Sequence, residues 1–358
     1  MAYSRNNLQP ALRVLHAAPA WITLFLVLIA LATYAGALSG LLPAWAGSFI
    51  DQVSSFTAVF LGIFIEAAPF LLLGTLASGI VEVFISRDDL ARWLPREKGL
   101  AGVAGGLMGL FFPVCECGVV PFARRLMQKG VPPAVGITVL LAAPVINPIV
   151  IASTLAAFGP GPIFWGRLGL TLGIAVITGL VFSLQSQTGD LLRASHTVHA
   201  VSLQAQLSAG ATVEVVAARP GLGERIRQAL VVAVDEFFEM GRFLVIGALL
   251  AALMQTIVRQ AALVEIGQGP VLSVLAMTAL AVLLSICSTV DAFIALAFTG
   301  TFASGGLLAF LVFGPMVDIK SILMFFTVFK PRTVAYLVIV PLLLTLIATI
   351  FINYFLPG

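Results

Sequence analysis

Charge is what this chain has least of. Only 10% of its 358 residues are Asp, Glu, Lys or Arg, against about 25% in a soluble globular domain. A water-soluble enzyme is excluded. Histidine and cysteine number three each. Three thiols cannot staple a disulfide framework, and no histidine falls in an apolar run, so neither a disulfide scaffold nor a closed zinc site is expected. The motifs GxxxxGK[ST], HExxH and GxSxG do not occur, which removes ATP hydrolysis by this chain and the common hydrolase chemistries. The net charge of +3 comes from short Lys/Arg clusters between apolar runs. Without an interleaved aromatic stripe they do not point to nucleic acid, and nothing calls for a cofactor.

Apolar length takes the place of charge. The composition is 60% hydrophobic and the mean hydropathy is +1.10. Runs of about 20 residues, enough to cross a hydrocarbon core of about 30 Å, recur at 21–42, 56–85, 99–122, 131–158, 163–184, 229–258, 270–299, 305–329 and 333–356. The chain reads as an all-α polytopic membrane protein whose first partner is the lipid bilayer. The run from Trp21 to Leu42 is too long for the core of a cleavable signal peptide. It reads as an additional N-terminal helix, with the N-terminus cytoplasmic in a bacterial plasma (inner) membrane. One long polar stretch, rich in Ser, Gln, Ala and Thr, reads as a cytoplasmic linker. The chain divides into a tail and first helix (1–55), a first repeat (56–184), the linker (185–227) and a second repeat (228–358).

The two repeats rest on three aligned blocks. FIEAAPFLLLGTLASGI (64–80) matches FFEMGRFLVIGALLAAL (237–253), placing Glu66 on Glu239 and Gly74 on Gly247. PVCECGVV (113–120) matches SICSTVDA (285–292), placing Cys115 on Cys287, and AAPVINP (142–148) matches FGPMVDI (313–319), placing Asn147 on Asp318. The order is kept and the spacing is nearly constant, as in transporters built from duplicated units.

Orientation follows from Lys and Arg. With nine full transmembrane helices, Arg124, Arg125, Lys129, Arg193, Arg219, Arg225 and Arg227 would lie outside. If 99–129 and 270–300 are instead re-entrant hairpins, only Arg167 and Arg259 remain outside, and the positive-inside bias favours that arrangement. Each repeat then holds three spans plus a re-entrant helical hairpin, an odd number of crossings, so the second copy is inverted. A 14-residue arm reaches about 21 Å, past the midplane, where the two tips meet.

The tips carry the chemistry. Cys115 and Cys117 flank Glu116, and two deprotonated thiols one residue apart suit a soft metal or metalloid. The second tip supplies Cys287, Ser288, Thr289 and Asp291. Ionisable groups at membrane depth mark function by default. Asp318 and Lys320 join Glu116 and Asp291 as substrate candidates, and Glu66 and Glu239 as coupling candidates. On a regular helix Asp318 and Lys320 point apart, so each needs a partner from another element. Arg242, one turn from Glu239, is expected to pair with it, and Asp235 and Glu236 to sit where water reaches them. Asn147 lies in the Pro-interrupted LLAAPVINPIVIAS. Pro113, Gly118, Pro121, Pro144, Pro148 and Pro315 are the hinge candidates, since Pro frees a carbonyl and removes a donor.

At CECGVVPFARRLMQKGVPPAVGITVLLAAPVINP the sequence resembles the bacterial predicted-permease family that includes the trivalent organoarsenical efflux permeases. Cys115, Cys117, Gly118, Pro121, Lys129, Gly130, Pro144, Gly314, Pro315, Asp318 and Lys320 stand at its motif positions. The resemblance, over about 56 to 356, implies an inner-membrane permease and, in the characterised branch, export of organoarsenicals through thiol contacts. Glu116 departs from the small residue the family places between the cysteines, which adds negative charge beside the thiols.

The reading that follows is a secondary transporter moving a thiophilic solute, metalloid or soft metal species through a central site. The alternatives are uptake of a sulfur-containing anion such as thiosulfate, a membrane thiol oxidoreductase using Cys115 and Cys117, and a non-transporting scaffold. A homo-oligomer or an accessory subunit is compatible with all of them.

Overall fold

The computed structural model describes residues 44–86, 98–110, 115–185, 191–193, 222–257 and 269–355. The run 21–42, Pro113 and most of the polar stretch 185–227 lie outside them. Among the described residues there are twelve α-helices and no strand, only an isolated antiparallel bridge between Leu192 and Phe329. The all-helical expectation holds. Five segments are long and apolar enough to cross a membrane: Asp51–Phe84, Pro162–Leu184, Leu222–Ile257, Ser304–Val328 and Pro331–Phe355.

Two helices are much longer than the others and pack against each other. α1 (Ala44–Phe84) has 41 residues and α7 (Leu222–Ile257) has 36, about 60 and 54 Å at 1.5 Å per residue. Both exceed a hydrocarbon core of about 30 Å, so parts of them stand clear of it. α1 starts well before the expected residue 56, directly after the Pro43 of the sequence, a residue suited to helix entry. The pair packs antiparallel, with Gly79 against Ala229 near one end and Phe60 in one cluster with Ala248 and Ala252 near the other. Small residues let the backbones approach where lipid supplies no hydrophobic drive.

Between them the chain breaks repeatedly. α2 (Lys98–Leu107) ends in a 3₁₀ turn and is followed by α3 (Glu116–Gln128); α4 (Pro133–Ala142) is separated by a short turn from α5 (Pro148–Phe158), and α6 (Pro162–Gln185) follows. The second half keeps this order with α8 (Pro270–Leu284), α9 (Asp291–Leu296), α10 (Ser304–Met316), α11 (Ile319–Val328) and α12 (Pro331–Phe355). The 305–329 run is therefore two helices, broken at Val317 and Asp318, whose backbones are extended.

Contacts fix the directions. Gly105 lies on Val135 and Gly109 on Ala143 and Ile146, so α2 and α4 run parallel. α3 must run back between them, and its end is held at the end of α1, where Lys129 donates to the Glu82 and Ile85 carbonyls at 2.6 Å each. In the second half Gly306 lies on Ser273 and Gly314 on Ala281, so α8 and α10 are parallel too. The Asn353 side chain receives the Gly305 N–H at 2.7 Å and donates to the Pro270 carbonyl at 2.8 Å, gathering both starts at the end of α12. α4 and α10 form the centre and are almost wholly buried. α1 and α12 turn Leu72, Leu73, Ile80, Ile339, Leu343 and Ile347 outward.

One contact fixes α3 against α1. A Cβ on Gly74 would fall on the backbone of Gly118, and neither chain can retreat without losing buried packing. Gly74→Val is expected to destabilise the protein by about 3 kcal/mol, the upper end for overpacking, read as a lower melting temperature in detergent. A Gly62→Val control, where the added Cβ meets nothing within 4 Å, should leave the melting temperature nearly unchanged.

Candidate functional site

The breaks position the polar residues. Cys115 is the N-cap of α3 with extended backbone, and its carbonyl accepts the N–H groups of Gly118 and Val119 at 3.1 Å each. Cys287 does the same ahead of α9, accepting from Val290 at 3.1 Å and Asp291 at 3.2 Å. The second pair of breaks also shares one device. Asn147 caps α5 by accepting the Val150 N–H at 2.9 Å, and Asp318 caps α11 by accepting the Ser321 N–H at 2.6 Å. A Ser, Asp or Asn cap satisfies a helix-start N–H that lipid cannot. Asn147 also donates to the Ala143 and Pro144 carbonyls, so its amide is spent on the turn.

These elements converge on one buried cluster. The Cys115 and Cys287 sulfurs and a Glu116 carboxylate oxygen lie within 4.8 Å of one another, and all three residues are at most 4% exposed. The two cysteines come from opposite halves of the chain. Lys320, on α11, lies 3.3 Å from Glu116 Oε1 and 3.3 Å from Asp318 Oδ2. Glu116 Oε2, Asp318 Oδ2 and Ser288 Oγ are buried and accept or donate no hydrogen bond. Two carboxylates thus face one ammonium, with thiols beside them. Such a donor set, two sulfurs and one oxygen with no imidazole, suits a soft cation or metalloid.

The other candidates lie around this cluster or apart from it. Cys117 is fully buried on α3 and its thiol interacts with that of Cys115, although it does not join the set of mutual distances that includes Glu116 and Cys287. Thr289 is half-buried, and Pro121 and Pro144 are buried. Pro148 opens α5 and Pro315 is the second-last residue of α10. Glu66 is half-buried and has no ion-pair partner among the described residues.

Several expectations need correction. Asp318 and Lys320 do pair, because Asp318 is a cap outside the helix and its extended backbone turns the carboxylate over the first turn. The Glu239 carboxylate goes to Arg124 at 3.2 Å, while Arg242 reaches only the Glu239 carbonyl. Asp235 is exposed as expected, but Glu236, one residue on and so about 100° around the helix, is buried against Arg125 at 2.9 Å. Arg125 and Lys129 also approach Glu82, at 3.7 and 3.9 Å. Arg124 and Arg125 are therefore a clamp tying α3 to α1 and α7. Arg167, counted as an outside loop residue, is fully buried on α6 and bonds Asp291 at 2.7 Å. The signal was present: it stands five residues inside an apolar run, where the rule for intramembrane charge applies.

Comparison with known proteins finds one family and two relatives. The family described as "Predicted permease" matches residues 52–354. UPF0718 protein YcgR of Bacillus subtilis (strain 168) is 44% identical over 282 residues, 78% of this chain and 91% of that protein. A Streptococcus mutans (serotype c, strain ATCC 700610 / UA159) protein, whose name describes it as a subunit of a two-component membrane permease complex, is 37% identical over 276 residues, 77% of this chain and 87% of its own. No solved structure matches.

Proposed function

Because this chain belongs to the predicted-permease family, over residues 52–354, we propose that it is an inner-membrane secondary transporter for a thiophilic cation or metalloid. The central site of that transporter is the cluster of Cys115, Glu116 and Cys287, with Lys320 and Asp318 behind it. The observation that carries the reading is the meeting of two thiols from opposite halves beside an uncompensated carboxylate. That excess of negative charge favours a neutral or cationic soft species over a sulfur-containing anion, for which Lys320 is already occupied.

The architecture of the proposal is two inverted repeats, 56–184 and 228–358, each with a re-entrant hairpin, α2 with α3 and α8 with α9. Support comes from the parallel α2/α4 and α8/α10 pairs, whose starts lie at opposite ends of the molecule. The end that carries Arg125, Lys129, Arg193, Lys330 and Arg332 is then cytoplasmic. The Streptococcus relative's name adds the proposal of an accessory subunit.

The test is accumulation in a host lacking its own metalloid exporters, across trivalent arsenicals, antimonite, soft metal ions and thiosulfate. A change in cellular content of a thiophilic species on expression supports the proposal; a change for thiosulfate alone overturns the substrate class. Asp318→Asn refines it. Asn caps as well as Asp, so the melting temperature should hold while the loss of one carboxylate lowers transport at least tenfold. Asp318→Ala should in addition destabilise by about 1 kcal/mol.

A further inference from the structure

A second ionic centre lies outside the thiol cluster. Arg167 Nη2 donates to Asp291 Oδ2 at 2.7 Å and Nη1 donates to Thr154 Oγ1 at 2.9 Å. Thr154 passes its own hydrogen to the Val150 carbonyl at 2.7 Å. All three side chains are almost completely buried. The pair joins α6 of the first half to α9 of the second, as Lys320 joins the second half to Glu116 of the first. In both centres the acid is the first residue of the arm that follows a tip cysteine.

The pairing is incomplete. Arg–carboxylate pairs are frequently bidentate, using both oxygens in a fork. Here Asp291 Oδ1 and Arg167 Nε are both buried with no partner, although an unpaired buried polar atom is costly. Beside Asp291 lies a cavity of about 10 Å³, lined also by Ala281, Ile286, Phe310, Gly314 and Pro315. That is room for one water. Among the described residues the only charged group facing Asp291 is Arg167; α8 and α10 turn only apolar or glycine surface toward it, and α5 contributes Thr154.

We propose that Asp291 is a proton-binding site of the transport cycle, with Arg167 as its counter-charge and Thr154 as the anchor that holds Arg167 when the proton arrives. The guanidinium stays charged throughout, so the exchanging member of the pair is the carboxylate. A proton delivered by water to Asp291 Oδ1 neutralises the carboxylate and weakens the Nη2–Oδ2 bond, with no other bond made or broken. Because that bond links the two halves, its release frees α9 from α6 and converts a charge event into a movement. The inference rests on the reading of the chain as a transporter, but its test needs no substrate.

The test is infrared titration of the purified full-length protein in lipid, following the carboxylic-acid C=O band as pH is lowered. The wild type and Glu116→Gln should show a titrating band that Asp291→Asn lacks. Arg167→Lys, which keeps the charge and cannot hold Asp291 and Thr154 at once with the geometry of the guanidinium, should move the midpoint by about one pH unit or more, a tenfold change in proton affinity. An Asp291→Asn spectrum identical to wild type would overturn the proposal, and so would a band lost in Glu116→Gln instead. If Asp291→Asn does not fold, the Arg167→Lys midpoint decides alone, and an unmoved midpoint counts against it. A negative result leaves the thiol site standing, and failure of metalloid transport leaves the titration unaffected.

Discussion

Replacing Cys115 and Cys287 together by Ser is expected to abolish transport of the thiophilic substrate while the protein remains in the membrane. The sulfurs come from different halves and lie with a Glu116 oxygen inside a 4.8 Å set. Removing groups that merely support a metal ligand already costs about 10–100-fold in affinity, so losing two ligands should exceed 100-fold. Serine is nearly the same size and makes its own hydrogen bonds, so the structural penalty should stay near the 1 kcal/mol typical of one hydrogen bond. Either single variant should lose most of the activity, whereas Cys117→Ser should lose less, since Cys117 is outside the set. The measurement is substrate accumulation normalised to membrane abundance. Equal losses for Cys117→Ser and Cys287→Ser would contradict this division of roles.

Lys320→Met should have the largest effect on stability. Lys320 is 3.3 Å from both Glu116 and Asp318, and none of the three side chains is more than 5% exposed. Removing the ammonium leaves two carboxylates facing each other without a counter-charge, and breaking a buried pair in this way costs about 3–5 kcal/mol. The expected result is a strong fall in melting temperature and in membrane abundance. Adding Glu116→Gln to Lys320→Met should restore a substantial part, because one of the stranded charges is then gone. Contacting residues couple by about 0.5–3 kcal/mol in such cycles. Additive effects would show that Lys320 and Glu116 do not interact as the distances imply.

The fold was legible where the sequence signal is one-dimensional. Apolar run length gave the helices and the membrane, and the residues interrupting the runs gave the breaks at Cys115, Asn147 and Cys287. The break at Asp318 was less visible, because FGPMVDIK carries one Pro and no Gly after it. Partners were mostly illegible. The pairing of Glu116 with Lys320 spans 204 positions, and no local rule connects them. Asp318 misled for a different reason: the i, i+2 geometry assumed a continuous helix, and a cap follows extended geometry. Arg124, Arg125 and Arg167 misled because one charge can serve topology and burial at once, and a count of loop charges cannot separate the two. Cys287 was legible because SICSTVDA aligns with PVCECGVV in the sequence. That it, more than Cys117, joins Cys115 and Glu116 required the tertiary structure.

The central claim is that the two halves meet at one thiol site. Its most direct test is the stoichiometry with which purified protein captures phenylarsine oxide, a reagent that bridges two nearby thiols with loss of water, read from the intact mass. The account predicts one equivalent on the wild type and on Cys117→Ser, and none retained on Cys115→Ser or Cys287→Ser. Capture that survives Cys287→Ser and disappears with Cys117→Ser would place the dithiol within the Cys115–Cys117 motif alone and contradict a site shared between the halves.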